Sequence, residues 1–211
     1  TGASIQRRRD GMFIDYLTLM LINLVAGLAL LAAWIFLDVG SPRERRWAPG
    51  LMMSGFLSLV TGLHMIFTWP LPGSFNILFG EMAVFFGVLL LGLALVLTFG
   101  LDLLPVAIYA TFVGVASILI GIQVLNLGLT ENPPLSGAGF IWMGVIGVFA
   151  LPMLRFQQVP AFRLFGAIGL LIAAIFWGAT GYVAYWGHVE PFGKWKPLPL
   201  QYEMEMQQPR Q

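Results

Sequence analysis

The chain contains no cysteine. That absence removes disulfides, thiolate metal sites, haem attached through Cys-x-x-Cys-His and cysteine catalysis. Charge is nearly as scarce. Asp, Glu, Lys and Arg make up 10% of the 211 residues, where a soluble domain carries roughly a quarter. The only lysines, Lys194 and Lys196, lie outside the long apolar runs, so no retinal Schiff base can form within one. Histidine occurs only at His64 and His188, too few for the usual ligand set of a zinc hydrolase. No Gly-rich phosphate loop, no Gly-x-Ser-x-Gly and no His-Glu-x-x-His is present. A net charge of +1 argues against nucleic acid as a partner.

What fills the chain instead is apolar. Hydrophobic residues make up 58% of it. No acidic or basic residue occurs from Leu17 to Leu37, from Met82 to Leu101 or from Leu164 to Gly187. Runs of roughly 20 apolar residues match the hydrocarbon thickness of a bilayer. They are continuous rather than alternating, which favours helices over a β-barrel. The expected fold is all-α: an integral membrane helical bundle of about six transmembrane helices near 13–37, 49–69, 75–99, 103–128, 138–154 and 162–187. The fifth is the shortest. Proline and glycine clusters at 40–42, 70–73, 100–105, 132–134 and 157–160 separate them. A basic N-terminal tail (1–12) and an extramembrane C-terminal tail (188–211) flank the 13–187 bundle. The first apolar run is too long for a signal peptide, and no small-residue cleavage site follows it.

Six helices put both termini of this cell-membrane protein on one side. Arg7, Arg8, Arg9, Lys194 and Lys196 flank that side, against Arg43, Arg45, Arg46, Arg155 and Arg163 on the other. The counts tie. The loops at 70–74 and 129–137 lack Lys and Arg, so the positive-inside rule leans toward both termini outside.

Helix two contains Gly55-Phe-Leu-Ser58-Leu-Val-Thr-Gly62-Leu-His64, and helix four contains Gly114-Val-Ala-Ser117-Ile-Leu-Ile-Gly121-Ile-Gln123. Small residues at these intervals form one helix face and let backbones approach in lipid. Gly80, Ala83 and Gly87 give helix three a similar face. The shared pattern points to an internal repeat of a helical hairpin, helices 2–3 and 4–5. Coincidence of two small-residue faces is the alternative.

Polar residues concentrate toward the terminal side: Asp15, His64, Glu81, Gln123, Asn126, His188 and Glu190. A carboxylate in hydrocarbon costs at least about 2.5–3.5 kcal/mol. Glu81 therefore needs a partner, and His64, at matching depth across a tight turn, is the expected one. The opposite side offers only Asp38 and Asp102 at its rim. Trp177 lies mid-span, suited to packing against a helix or a lipophilic cofactor; the other tryptophans mostly read as interfacial belts.

The opening segment Phe13-Ile-Asp-Tyr-Leu-Thr-Leu-Met-Leu-Ile-Asn-Leu-Val-Ala-Gly27, with His64 before a loop and Phe79-Gly80-Glu81 after it, resembles an uncharacterised bacterial and archaeal family of predicted multi-pass membrane proteins, a domain of unknown function. The resemblance covers residues 13–187 and implies a helical membrane fold, with no activity or site residue attached. The Arg-rich start and the Trp- and Pro-containing tail depart from it.

Several readings of the polar residues follow. One is a buried network that only fixes helix register. A second is a transition-metal site at His64 and Glu81, with Asp15, for which imidazole and carboxylate suit Zn, Fe, Mn or Cu. Haem is disfavoured, since a second ligand could come only from His188, beyond the span. A third is a half-channel on the terminal side. The leading expectation for the whole chain is a non-enzymatic subunit packed among lipid and other membrane protein subunits, of electron-transfer or oxidase type; a metal- or cofactor-binding redox protein and a small transporter are the alternatives.

Overall fold

The computed structural model describes residues 16–71 and 73–193, and of 16 and 190–193 the backbone alone. Asp15, the N-terminal tail and most of the C-terminal tail lie outside the described residues. The chain crosses the membrane six times, through helices of 21 to 30 residues that are long and apolar enough to span.

α1 (Tyr16–Leu37) leads through a 3₁₀ turn, Glu44–Trp47, into α2 (Ala48–Thr68). A π-helical turn, Asn76–Glu81, opens α3 (Met82–Phe99). Then follow α4 (Leu104–Leu127), α5 (Pro133–Val148), the short α6 (Ala150–Arg155) and α7 (Pro160–Gly193). α5 and α6 together make the fifth span. Gly100 and Gly128 end α3 and α4 in the left-handed conformation, each N–H bonding back to a carbonyl of the last turn.

Two boundaries differ from the sequence expectation. The fifth span runs from Pro133 to Arg155 rather than over 138–154. Pro133 and Pro134 start it instead of breaking the chain, because the first turn of a helix has no use for their missing N–H groups. The Asn132 side chain caps that turn, accepting from Leu135 N at 3.3 Å. The sixth helix continues to Gly193, so His188 sits inside it and not beyond its end.

The spans pack as three antiparallel pairs: α2 with α3, α4 with α5, and α1 with α7. The repeat is visible in the first two. A Cβ on Gly55 would meet Gly87 O at 3.0 Å, and one on Gly62 would meet Gly80 O at 2.8 Å. In the second pair, a Cβ on Gly114 would meet Gly144 O at 2.6 Å, and one on Gly121 would meet Gly137 O at 2.7 Å. Equivalent glycines thus face equivalent glycines, with no room for a side chain. Ala83 departs from this face and lines a central cavity.

α1 and α7 close the bundle differently. Arg163 reaches from α7 to the C-terminal end of α1, donating from Nε to Ile35 O at 3.1 Å and from Nη2 to Phe36 O at 2.8 Å. A cation there satisfies carbonyls that the helix leaves open and complements its dipole. At the other end Gly181 packs on Leu21, so α7 ends beside the start of α1.

Candidate functional site

Of the residues expected at a terminal-side site, Asp15 lies outside the described residues. His64 is exposed on α2, with its Nδ1 3.3 Å from Thr68 Oγ1. Glu81 is half-buried at the end of the π turn. The two are not hydrogen-bonded to each other. Gln123 and Asn126 are exposed on α4, and His188 is half-buried on α7. The reason lies in the helical repeat. His64 and Gln123 each stand two residues past a packing glycine, about 200° round a helix of 3.6 residues per turn. The glycine faces its partner helix, and the polar side chain therefore faces outward. Among the described residues no group of three or more His, Cys, Asp or Glu could hold a metal ion.

The buried polar groups lie elsewhere. Asn23, two turns into α1, donates from Nδ2 to Ser54 O at 2.9 Å and to Ser58 Oγ at 2.8 Å. Ser54 Oγ returns a bond to Asn23 O at 3.1 Å. Because Ser54 O can only accept, the amide atom facing it is the nitrogen. On the second hairpin Ser117 Oγ donates to Phe140 O at 2.7 Å. Asn76, fully buried, accepts from Leu71 N at 3.1 Å and donates to Leu71 O at 2.6 Å. An asparagine within an apolar run was the signal for Asn23; nothing but the adjoining loop marked Asn76.

At the opposite rim, Asp38 is fully buried between Arg46 at 2.6 Å, Arg43 at 3.4 Å and Trp47 Nε1 at 2.8 Å. Burial alone would raise its pKa. The Trp47 hydrogen bond and the charges of Arg46 and Arg43 outweigh that and hold its carboxyl below the usual range.

Two cavities lie inside the bundle. The inner one, about 150 Å³, is lined by residues including Met20, Leu24, Ser58, Phe79, Ser117 and Trp177. The second, about 260 Å³, reaches Trp34, Val39, Leu103 and Gln157 toward the opposite rim. They adjoin at one shared layer: Leu31, Leu89, Ala110, Ile146, Gly147 and Leu170. On α1 the lining runs from Met20 to Ile35, about 22 Å at roughly 1.5 Å per residue. That is most of a hydrocarbon core about 30 Å thick. The lining is almost wholly apolar. Trp177 and Trp34, one on each cavity, are both buried with an indole N–H that has no acceptor among the described residues.

The chain belongs to the DUF981 family, described as a protein of unknown function, which it matches over residues 12–191. Among curated proteins none matches it. Among solved structures it resembles the cryo-EM structure of the Helicobacter pylori urea channel in the closed state. The likeness has a TM-score of 0.63 at 22% identity, over 81% of this chain and 98% of that one. At this identity the likeness is one of fold.

Proposed function

We propose, starting from membership of a family without an assigned activity, that the chain is a passive conduit for small uncharged solutes across the membrane. The observation that carries this is the pair of adjoining cavities along the bundle, which share Leu31, Leu89, Ala110, Ile146, Gly147 and Leu170 in their lining. A structure of like fold is named as a urea channel, which supports the same reading and makes urea the first solute to try.

The lining decides what could pass. An apolar cavity of about 150 Å³ stays dry in a well-packed protein yet admits a guest the size of benzene. An ion entering it would lose its hydration with nothing in return, an idealised cost on the order of tens of kcal/mol. A neutral solute loses only hydrogen bonds. The layer between the cavities acts as a barrier to water, as apolar constrictions do.

The half-channel, the second alternative to the subunit reading of the sequence, becomes a longer passage in this proposal, and nothing in the cavities favours an electron-transfer or metal-binding role. Assembly with further membrane subunits, copies of this chain among them, belongs to the same proposal. So does an orientation with the arginine-rich rim of Arg43, Arg45, Arg46, Arg155 and Arg163 in the cytoplasm, following the positive-inside rule.

The test is solute-driven swelling of proteoliposomes, with urea, formamide and acetamide as neutral probes and sodium and chloride as ionic ones. Faster entry of the neutral probes than in empty vesicles, with no gain for the ions, is expected. Rates equal to those of empty vesicles for all three neutral probes would overturn the reading.

A further inference from the structure

Ser58 on α2 and Ser117 on α4 occupy equivalent positions of the repeat, and both line the inner cavity. The shared pattern therefore brings two hydroxyl groups to one otherwise apolar chamber from two separate hairpins. Both are more than nine-tenths buried, at 3% and 6% exposure.

Their hydrogen-bonding states are opposite. Ser58 Oγ accepts from Asn23 Nδ2, and its own hydrogen meets no acceptor among the described residues. Ser117 Oγ spends its hydrogen on Phe140 O, and no donor among the described residues reaches its lone pairs. A hydroxyl carries one donor and two acceptor positions, so the cavity presents one donor at Ser58 and one acceptor at Ser117. The Asn23 amide fixes the first state and the Phe140 carbonyl fixes the second.

We infer that Ser58 and Ser117 are a recognition pair for a neutral solute bearing both an acceptor oxygen and an N–H donor, with Ser58 donating to the oxygen and Ser117 accepting from the nitrogen. The inference rests on the conduit reading and gives it a chemical class. Such a solute recovers two of the hydrogen bonds it loses on leaving water. A solute with an acceptor alone recovers one, and an ion recovers too little to enter.

Two probes separate these contacts: urea, which donates and accepts, and dimethyl sulfoxide, which only accepts. Entry of each into proteoliposomes is measured for the wild type, Ser58→Ala and Ser117→Ala. Removing Ser58 should slow both solutes, and removing Ser117 should slow urea alone, each about fivefold, the worth of one hydrogen bond. Ser117→Thr, which keeps the hydroxyl, should restore urea entry. A purely structural role for these serines would slow both probes together in either variant. Should Ser58→Ala fail to reconstitute, Ser58→Gly takes its place.

Equal effects of Ser117→Ala on the two probes, or none on either, would overturn the assignment while leaving the conduit standing. A wild type that passes neither probe faster than empty vesicles would overturn both.

Discussion

Gly114 and Gly144 meet backbone to backbone across the second hairpin: a Cβ on either would come within 2.6 Å or 2.5 Å of the other's carbonyl oxygen. The same relation holds in the first hairpin, where a Cβ on Gly87 would lie 2.8 Å from Gly55 O and 2.6 Å from Leu59 N. Those neighbours are backbone atoms, which cannot swing aside as a side chain can. In lipid, where helices gain little from apolar burial, this close approach is itself the adhesive.

Gly144→Ala and Gly87→Ala should therefore each lower stability by about 1–3 kcal/mol, the usual cost of forcing a methyl group into a filled contact. Thermal unfolding in mild detergent measures it. Gly92→Ala is the control. Its Cβ would meet only Val106 Cγ2, at an ordinary 3.8 Å, and alanine is the better helix former. That variant should match or exceed the wild type. Equal losses at Gly92 and Gly144 would mean that the glycine contacts carry no special weight.

Asn23 ties α1 to α2 through two bonds from one amide. Asn23→Leu removes both and leaves the Ser58 hydroxyl to reorient. The loss should be about 0.5–2 kcal/mol, since hydrogen bonds between membrane helices average near the lower figure and buried groups left unpaired approach the upper. A second effect should accompany it. With the Ser58 proton no longer directed by Asn23, entry of dimethyl sulfoxide and urea should fall together. A stability loss with unchanged flux would detach Asn23 from the solute path.

How far the sequence spoke depended on the kind of contact. The six spans follow from solvation alone, because apolar length against bilayer thickness needs no tertiary information. The paired hairpins were legible too, since Gly55, Ser58 and Gly62 recur as Gly114, Ser117 and Gly121. The outward placing of His64 was less plain: depth, which the sequence gives, says nothing about direction round a helix, whereas a residue two places past a packing glycine faces away from it. The start of the fifth span was obscured by Pro133 and Pro134, which serve in a first helical turn as readily as in a break. The cavities depend on side-chain packing among all six spans, for which no local pattern exists.

Asp38 predicts a pH dependence. Its carboxyl is held below the ordinary range by Trp47, Arg46 and Arg43. A group whose folded pKa is depressed adds stability above its unfolded value, about 3.9. That contribution disappears as pH falls through the lower folded value. Thermal stability should therefore be flat on this account from neutral pH down to about 4 and should fall below it. Arg46→Leu removes the nearest charge, so its acid transition should begin at higher pH. Asp38→Asn should abolish this part of the dependence while lowering stability at neutral pH. An Arg46→Leu transition that does not move would show that the pair contributes nothing to acid sensitivity.

The layer between the cavities predicts the direction of flux changes. Ala110 lines both cavities and is buried at 6% exposure. Leucine there adds three carbons where the two chambers meet, so Ala110→Leu should reduce urea entry at least tenfold. Leu89 lines both cavities as well, and Leu89→Ala removes the same bulk from the same layer. Widening an apolar constriction lets water enter it and lowers the barrier, so urea entry should rise severalfold. The ionic probes test what remains. The walls stay apolar after either change, and sodium should still not pass. Opposite effects at Ala110 and Leu89, with ions excluded throughout, are the signature of a steric gate in a neutral-solute path; parallel losses in the two variants would point to damaged packing, and the layer would then be no gate.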